Sequence, residues 1–168
     1  MLDELARGLP AGFSLRARTD ADLAFLARLY ASTRQEELQP VPWTEQEKAA
    51  FLFDQFGKQH SHYLTYYPDA LWLVLEHDGE PVGRLYISVT PNEFRVMDIA
   101  LMPAFRLRGL GTAMFRSLIN QADHHAMRIS LNVEPSNPAR RLYLRLGFTD
   151  VETVGYYQLM HRPANPAI

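Results

Sequence analysis

The chain contains no cysteine. Disulfides, thiolate metal sites and a cysteine nucleophile are therefore excluded, and any acyl transfer must proceed without an acyl-cysteine. No run of about eighteen apolar residues occurs, and residues 1–12 hold acids and Arg7 but no apolar stretch of the kind a signal sequence needs. A cytoplasmic protein with no membrane partner is expected. Charge of one sign is also lacking: the formal net charge is −2, whereas general nucleic-acid binders carry a strongly basic face or tail. His60-x-His62 and His124-His125 have no carboxylate or cysteine at ligand spacing, so no metal is expected. Two phosphate-binding motifs fail as well. There is no Gly-Lys-Ser/Thr for a P-loop, and Gly109-x-Gly111 leads to Met114 where the dinucleotide fingerprint requires its third glycine.

What is present reads as one α/β domain over residues 1–168, with its core between 13 and 161. A chain of 168 residues, 47% hydrophobic and 21% charged, is long enough for one well-buried core and too short for two. Phe13, Leu15 and Ala17 alternate with polar residues and predict a first strand. Thr19 with Asp22 caps a helix whose Leu23, Leu26, Ala27 and Tyr30 share a face. Pro40 and Pro42 end that helix, and Thr44 with Glu47 opens another carrying Ala49, Leu52, Phe53 and Phe56. The apolar run from Leu71 to Glu76, the Asp78-Gly79 hairpin signal, Val82 to Val89 and then Phe94 to Leu101 predict three antiparallel strands. A helix with Leu110, Ala113, Met114 and Leu118 follows, then a strand with Ile129, Leu131 and Val133. Asn137-Pro138 opens a short helix that Gly147 stops. Strands near Val151 to Val154 and Tyr156 to His161 close the order, and the tail from Pro163 is expected to fray. The order is β-α-α-β-β-β-α-β-α-β-β: a mixed, mostly antiparallel sheet of about seven strands with about four helices.

The chemistry concentrates where the strand ending at Leu101 passes through a basic, glycine-containing turn into a helix. First-turn N–H groups of a helix lack internal partners, and the helix dipole adds partial positive charge there. Gly109 and Gly111 let an anion approach the backbone, while Arg106 and Arg108 supply full charges. Such a turn suits a diphosphate.

Arg106, Gly109 and Gly111 spell R-x-x-G-x-G, which resembles the acyl-coenzyme A signature of the GNAT superfamily of N-acetyltransferases. Ser136-Asn137-Pro138, Leu142-Tyr143 and Gly147-Phe148 resemble that family's second signature, and the element order also agrees. The resemblance implies a GNAT fold whose fourth and fifth strands splay apart, with acetyl-CoA as cosubstrate and no metal. It implies pantetheine pairing by the main chain of Ile99, Ala100 and Leu101. The pyrophosphate would be held by Arg106, Leu107, Arg108, Gly109, Leu110, Gly111 and Thr112, with Asn137 and Arg140 as further cofactor contacts. It also implies an acceptor pocket between residues 36 and 67, with Glu36, Trp43 and Tyr63 in its lining, and last strands able to pair in a homodimer.

Attack of an amine on a thioester asks the protein to take a proton from the amine, to steady the oxyanion and to protonate the leaving sulfur. Tyr143 aligns with the family's general acid. Counting from Asn137 puts the family's strand-five base at Asn132, which cannot accept a proton. Glu134, Asp98 or an ordered water must then serve, with Glu134 ranked first. The acceptor class stays open between a small amine, a polyamine or aminoglycoside, and a peptide amine. The alternative to an enzyme is a non-catalytic CoA-binding sensor or protein-interaction module, which Asn132 favours.

Overall fold

Capping and alternation set most elements where the sequence places them. In the computed structural model, which describes residues 2–165, the order is α1 (Leu2–Arg7), β1 (Phe13–Ala17), α2 (Leu23–Leu38), α3 (Glu45–Tyr66), β2 (Leu71–His77), β3 (Glu80–Val89) and β4 (Glu93–Leu101), continuing with α4 (Leu110–His124), β5 (Arg128–Val133), α5 (Ala139–Arg145), β6 (Thr149–Val154) and β7 (Tyr157–Arg162). Thr44 caps α3 by accepting from the Glu47 N–H at 3.1 Å. Asp78 and Gly79 both take positive φ, 50° and 86°, the two-residue turn whose twist suits a hairpin.

The first helix was not expected. Its six residues are too few to show a period, yet Leu5 is only 1% exposed and belongs to the main core. The core therefore begins before residue 13, and among the described residues five α-helices flank the sheet, against about four expected. Of the apolar residues named above on α3, Phe53 is 70% exposed, and Leu52 and Phe56 carry the packing. The tail is tied down as far as Asn165, whose N–H donates to Asp123 at 2.8 Å; the expectation of fraying beyond it lies outside the described residues.

The seven strands form one sheet in the order β1-β2-β3-β4-β5-β7-β6. Every neighbouring pair is antiparallel except β4 and β5. On one face, Leu73, Leu75, Leu85, Ile87, Phe94 and Val96 pack with Met114, Phe115 and Leu118 of α4 and with Leu5 of α1. On the other, Val74 and Ala100 pack with Leu26 and Leu29 of α2 and Leu52 and Phe56 of α3. No helix among the described residues is long and apolar enough to cross a membrane.

A bulge in β4 decides which face each later residue joins. Val96 lies opposite Ile87 but Asp98 lies opposite Tyr86, leaving Met97 as the extra residue. Two residues of β4 then stand against one of β3, so the alternation reverses at Met97. Asp98, which strict alternation from Val96 would drive into the apolar α4 face, is delivered to the α2 and α3 face instead.

The entry to α2 rests on a buried carboxylate. Arg16 donates to both oxygens of Asp22, at 2.7 and 2.8 Å, and the Thr19 N–H adds a bond of 2.9 Å. The Arg16 bonds, with help from Thr19 and against the opposing effect of burial, hold the Asp22 carboxyl at about 2, below its ordinary 3.8. A lowered carboxyl stabilises the fold fully above its unfolded value, and that contribution is lost as pH falls through about 2. Stability should drop by on the order of 1–2 kcal/mol from this group between pH 5 and pH 2. Urea unfolding across that range should show a shallower acid loss in Asp22→Asn than in the wild-type chain.

Candidate active site

Parallel pairing between β4 and β5 covers only Glu93 to Val96 against Arg128 to Leu131. Past the bulge, Asp98 to Leu101 pair with β3 alone, and Asn132 and Val133 pair with β7 alone. The two strands thus part in the middle of the sheet, leaving facing edges of main-chain donors and acceptors.

The glycine turn lies beyond the open end of β4. Leu107 takes φ 61° with its side chain fully exposed, and Gly109, at φ 79°, caps α4. Among the described residues, the Leu110, Gly111 and Thr112 N–H groups that open α4 have no hydrogen-bond partner. Gly111 is informative because its φ is not positive and a Cβ built on it meets nothing within 4 Å. The fold itself does not demand glycine there, and a first-turn glycine costs about 1 kcal/mol relative to alanine. Bare backbone, free N–H groups and the Arg108 cation fit a phosphate group. Arg106 is used differently. Its Nε donates to the Leu101 carbonyl at 2.9 Å and another nitrogen donates to Ser32 at 3.0 Å, stitching the end of β4 to α2.

Below the gap stands α5. The Asn137 side chain accepts from the Ala139 N–H at 2.9 Å and so caps this helix, while Arg140 is ion-paired with Asp150. Tyr143 is buried, its ring 5.1 Å from that of Phe115 and 5.8 Å from that of Phe148. Its hydroxyl has no protein partner among the described residues. Burial, and then the negative charge of Asp98, push the phenol up to about 12. The ring belongs to the apolar cluster on the α4 side, and the charge of Asp98 acts on its hydroxyl from β4.

On the α2 and α3 face, Arg84 is 3% exposed and ion-paired with Asp98. The same guanidinium nitrogen donates to Gln59 of α3 at 3.0 Å, and its Cζ lies 4.8 Å from the centre of the Tyr86 ring. Tyr86 packs against Trp72 at 4.9 Å, and Tyr63 of α3 approaches both, at 5.8 and 6.1 Å. Burial, then Asp98, push the Tyr63 phenol up to about 12. Asn132 is exposed, and by strand alternation Glu134 shares its face, with no hydrogen-bond partner for its carboxylate among the described residues. No group of three or more metal-ligating side chains is gathered among the described residues.

Of the residues read from sequence, Tyr143, Asp98 and Tyr63 are therefore brought together, and Glu134 lies on the neighbouring strand end. Trp43 and Glu36 do not join them: the Trp43 ring packs on Phe51 at 5.2 Å, and Glu36 is exposed in the last turn of α2. Arg84, Gln59, Trp72 and Tyr86 were missed. A lone arginine in the apolar run of β3 was the available signal, since a buried charge demands a partner.

A sheet that opens between two parallel neighbours, with a glycine turn at one strand end and a tyrosine beneath the gap, is the architecture of an acyltransferase domain. The sequence profile of the acetyltransferase (GNAT) family matches residues 26–148, and the chain belongs to that family. A Bacillus subtilis protein provisionally named a ribosomal protein bS18-alanine N-acetyltransferase is 32% identical over 108 residues, covering 63% of this chain and 64% of that protein. An N-alpha-acetyltransferase of Sulfurisphaera tokodaii is 29% identical over 104 residues, covering 53% and 62%. The chain spans just under two thirds of the length of these two relatives. Among solved structures, the PaiA N-acetyltransferase of Thermoplasma acidophilum, crystallised with coenzyme A, shares the fold at a TM-score of 0.69 and 15% identity, over 90% of this chain and 98% of that one. The ribosomal-protein-S18-alanine N-acetyltransferase of Escherichia coli does so at 0.60 and 22%, over 92% and 96%.

Proposed function

We propose that the protein transfers an acetyl group from acetyl-CoA directly to an amine, and that the acceptor is a peptide amine. The observation that carries the reading is the gap between β4 and β5, with the free N–H groups of α4 beyond the open end of β4. Bound acetyl-CoA supplies a thioester, which is already reactive towards a neutral amine. Gly109, Gly111 and the N–H groups from Leu110 to Thr112 would hold its pyrophosphate, with Arg108 alongside. The free edge of Ile99, Ala100 and Leu101 would pair with the pantetheine arm, and the Leu101 carbonyl retains a second lone pair beside its bond from Arg106. Asn137 and Arg140 stand at the far side.

Tyr143 would act as the acid at the departing sulfur, and Glu134 or an ordered water would take the amine proton. Asp98 is withdrawn from that role. Its Oδ2 is already engaged by the buried Arg84 guanidinium, which needs it as a partner. The names of the bacterial and archaeal relatives favour a peptide N-terminus over polyamines or aminoglycosides. Steady thiol release from acetyl-CoA on adding peptides with free N-termini is the direct test. Absence of release with every amine tried would favour the CoA-binding module for which Asn132 speaks.

Cofactor binding can be tested separately. Acetyl-CoA at a hundred times its dissociation constant should add about 2.7 kcal/mol, a melting shift of roughly 5–10 °C for a chain of this length. A Cβ at Gly111 meets no protein atom, so Gly111→Val adds methyl groups on the side where the phosphate would bind. It should keep the unliganded melting temperature within a few degrees while losing most of the shift.

A further inference from the structure

Asp98 is the first residue beyond the bulge, on the strand edge that faces the gap. Arg84 binds it through Oδ2 from the buried side, and among the described residues Oδ1 has no partner. The Asp98 side chain keeps 23% of its surface, against 3% for Arg84. The ion pair is neutral as a whole, but its negative end points to the opening and its positive end into the protein. Gln59 and Asp98 share one nitrogen of Arg84, so α3 and β4 are held in one arrangement around that carboxylate.

The surroundings suit a cation. Burial and then the negative charge of Asp98 raise the phenols of both Tyr63 and Tyr143, so both hydroxyls stay neutral beside it. Two neutral phenols offer lone pairs, and aromatic ring faces attract ammonium groups. We propose that the free oxygen of Asp98, backed by Arg84, receives the acceptor as its ammonium and selects alkyl amines such as peptide N-termini over uncharged aryl amines. The assignment rests on the acetyltransferase reading above and gives that site its acceptor chemistry. Asp98 is here the binding residue, whose own charge carries the preference; Arg84 occupies only its other oxygen, and the proton leaves afterwards through Glu134 or water.

The test is calorimetric titration of CoA-saturated protein with alanyl-alanyl-alanine amide and with its neutral analogue, in which a propanoyl group replaces the first alanine. A charge-assisted hydrogen bond should give the ammonium peptide an advantage of about 10- to 100-fold. Asp98→Asn should abolish that preference. Arg84→Gln breaks the same ion pair but leaves the carboxylate in place, so it should preserve or increase the preference. A merely structural pair would weaken both variants alike. Equal binding of the two peptides by the wild-type protein, binding of neither, or loss of the preference in Arg84→Gln would each overturn the assignment. A melting shift with CoA in the same samples separates the two levels. If it persists without ammonium preference, the dock is wrong and the transferase reading stands; if CoA gives no shift, both fall.

Discussion

Tyr143→Phe is expected to lower kcat by about 10- to 1000-fold while changing the affinity for acetyl-CoA less than about threefold. Phenylalanine keeps the ring contacts with Phe115 and Phe148, so only the hydroxyl is lost. With that hydroxyl pushed up to about 12 by burial and Asp98, it stays protonated through any practical assay range. The pH profile of the wild-type enzyme should therefore show no fall between pH 8 and pH 10 from loss of its proton. A phenol near 12 surrenders its proton reluctantly to a thiolate whose acid titrates at about 8.5. In the proposed reaction its effect would come as much from a hydrogen bond to the departing sulfur as from proton delivery. Steady-state rates with both proteins decide the matter: an unchanged kcat would remove Tyr143 from the reaction.

The largest loss of stability is expected at the Arg84–Asp98 pair, and the two single substitutions should differ. Asp98→Asn strands a guanidinium that is 3% exposed and should cost about 3–5 kcal/mol, or roughly 10 °C of melting temperature. Arg84→Leu strands a carboxylate that still touches solvent and should cost less. The double variant Arg84→Leu/Asp98→Asn should recover part of the Asp98→Asn loss, because removing both charges is far cheaper than removing one. Melting curves of the four proteins form a cycle. Strict additivity would mean that the two groups are not coupled.

The fold was legible wherever one physical rule governed a long segment. Capping pairs such as Thr44 with Glu47, the Asp78-Gly79 turn and the alternation of β5 fixed their elements without reference to anything distant. The glycine turn and Tyr143 were legible because each lies in a signature with fixed internal spacing. Elements decided by contacts across the chain were not. Leu2–Arg7 becomes a helix by packing Leu5 into the core beneath α4, and six residues show no period of their own. The setting of Asp98 was hidden for a different reason. Alternation assigns Phe94, Val96 and Asp98 to one face, but the bulge at Met97 interrupts that parity and turns Asp98 towards Arg84. A bulge leaves no mark in composition, so the pair could be found only once both strands were in register. Trp43 was favoured for the pocket because its loop is aromatic and proline-flanked, whereas the aromatic that lines this face, Trp72, sits inside a strand that reads as plain core.

That placement of Trp72 gives the protein an optical property. The chain has two tryptophans. Trp43 is 41% exposed on the α2–α3 loop, while the Trp72 indole is wedged between Tyr63 and Tyr86, with Tyr86 of β3 standing between it and Asp98. An indole in such a place responds to a change of nearby charge or solvent, and Trp43 contributes a steady background. Emission from Trp72 can therefore follow occupation of the acceptor side in real time, with no label attached, in the wild-type protein and in every variant that spares the wedge.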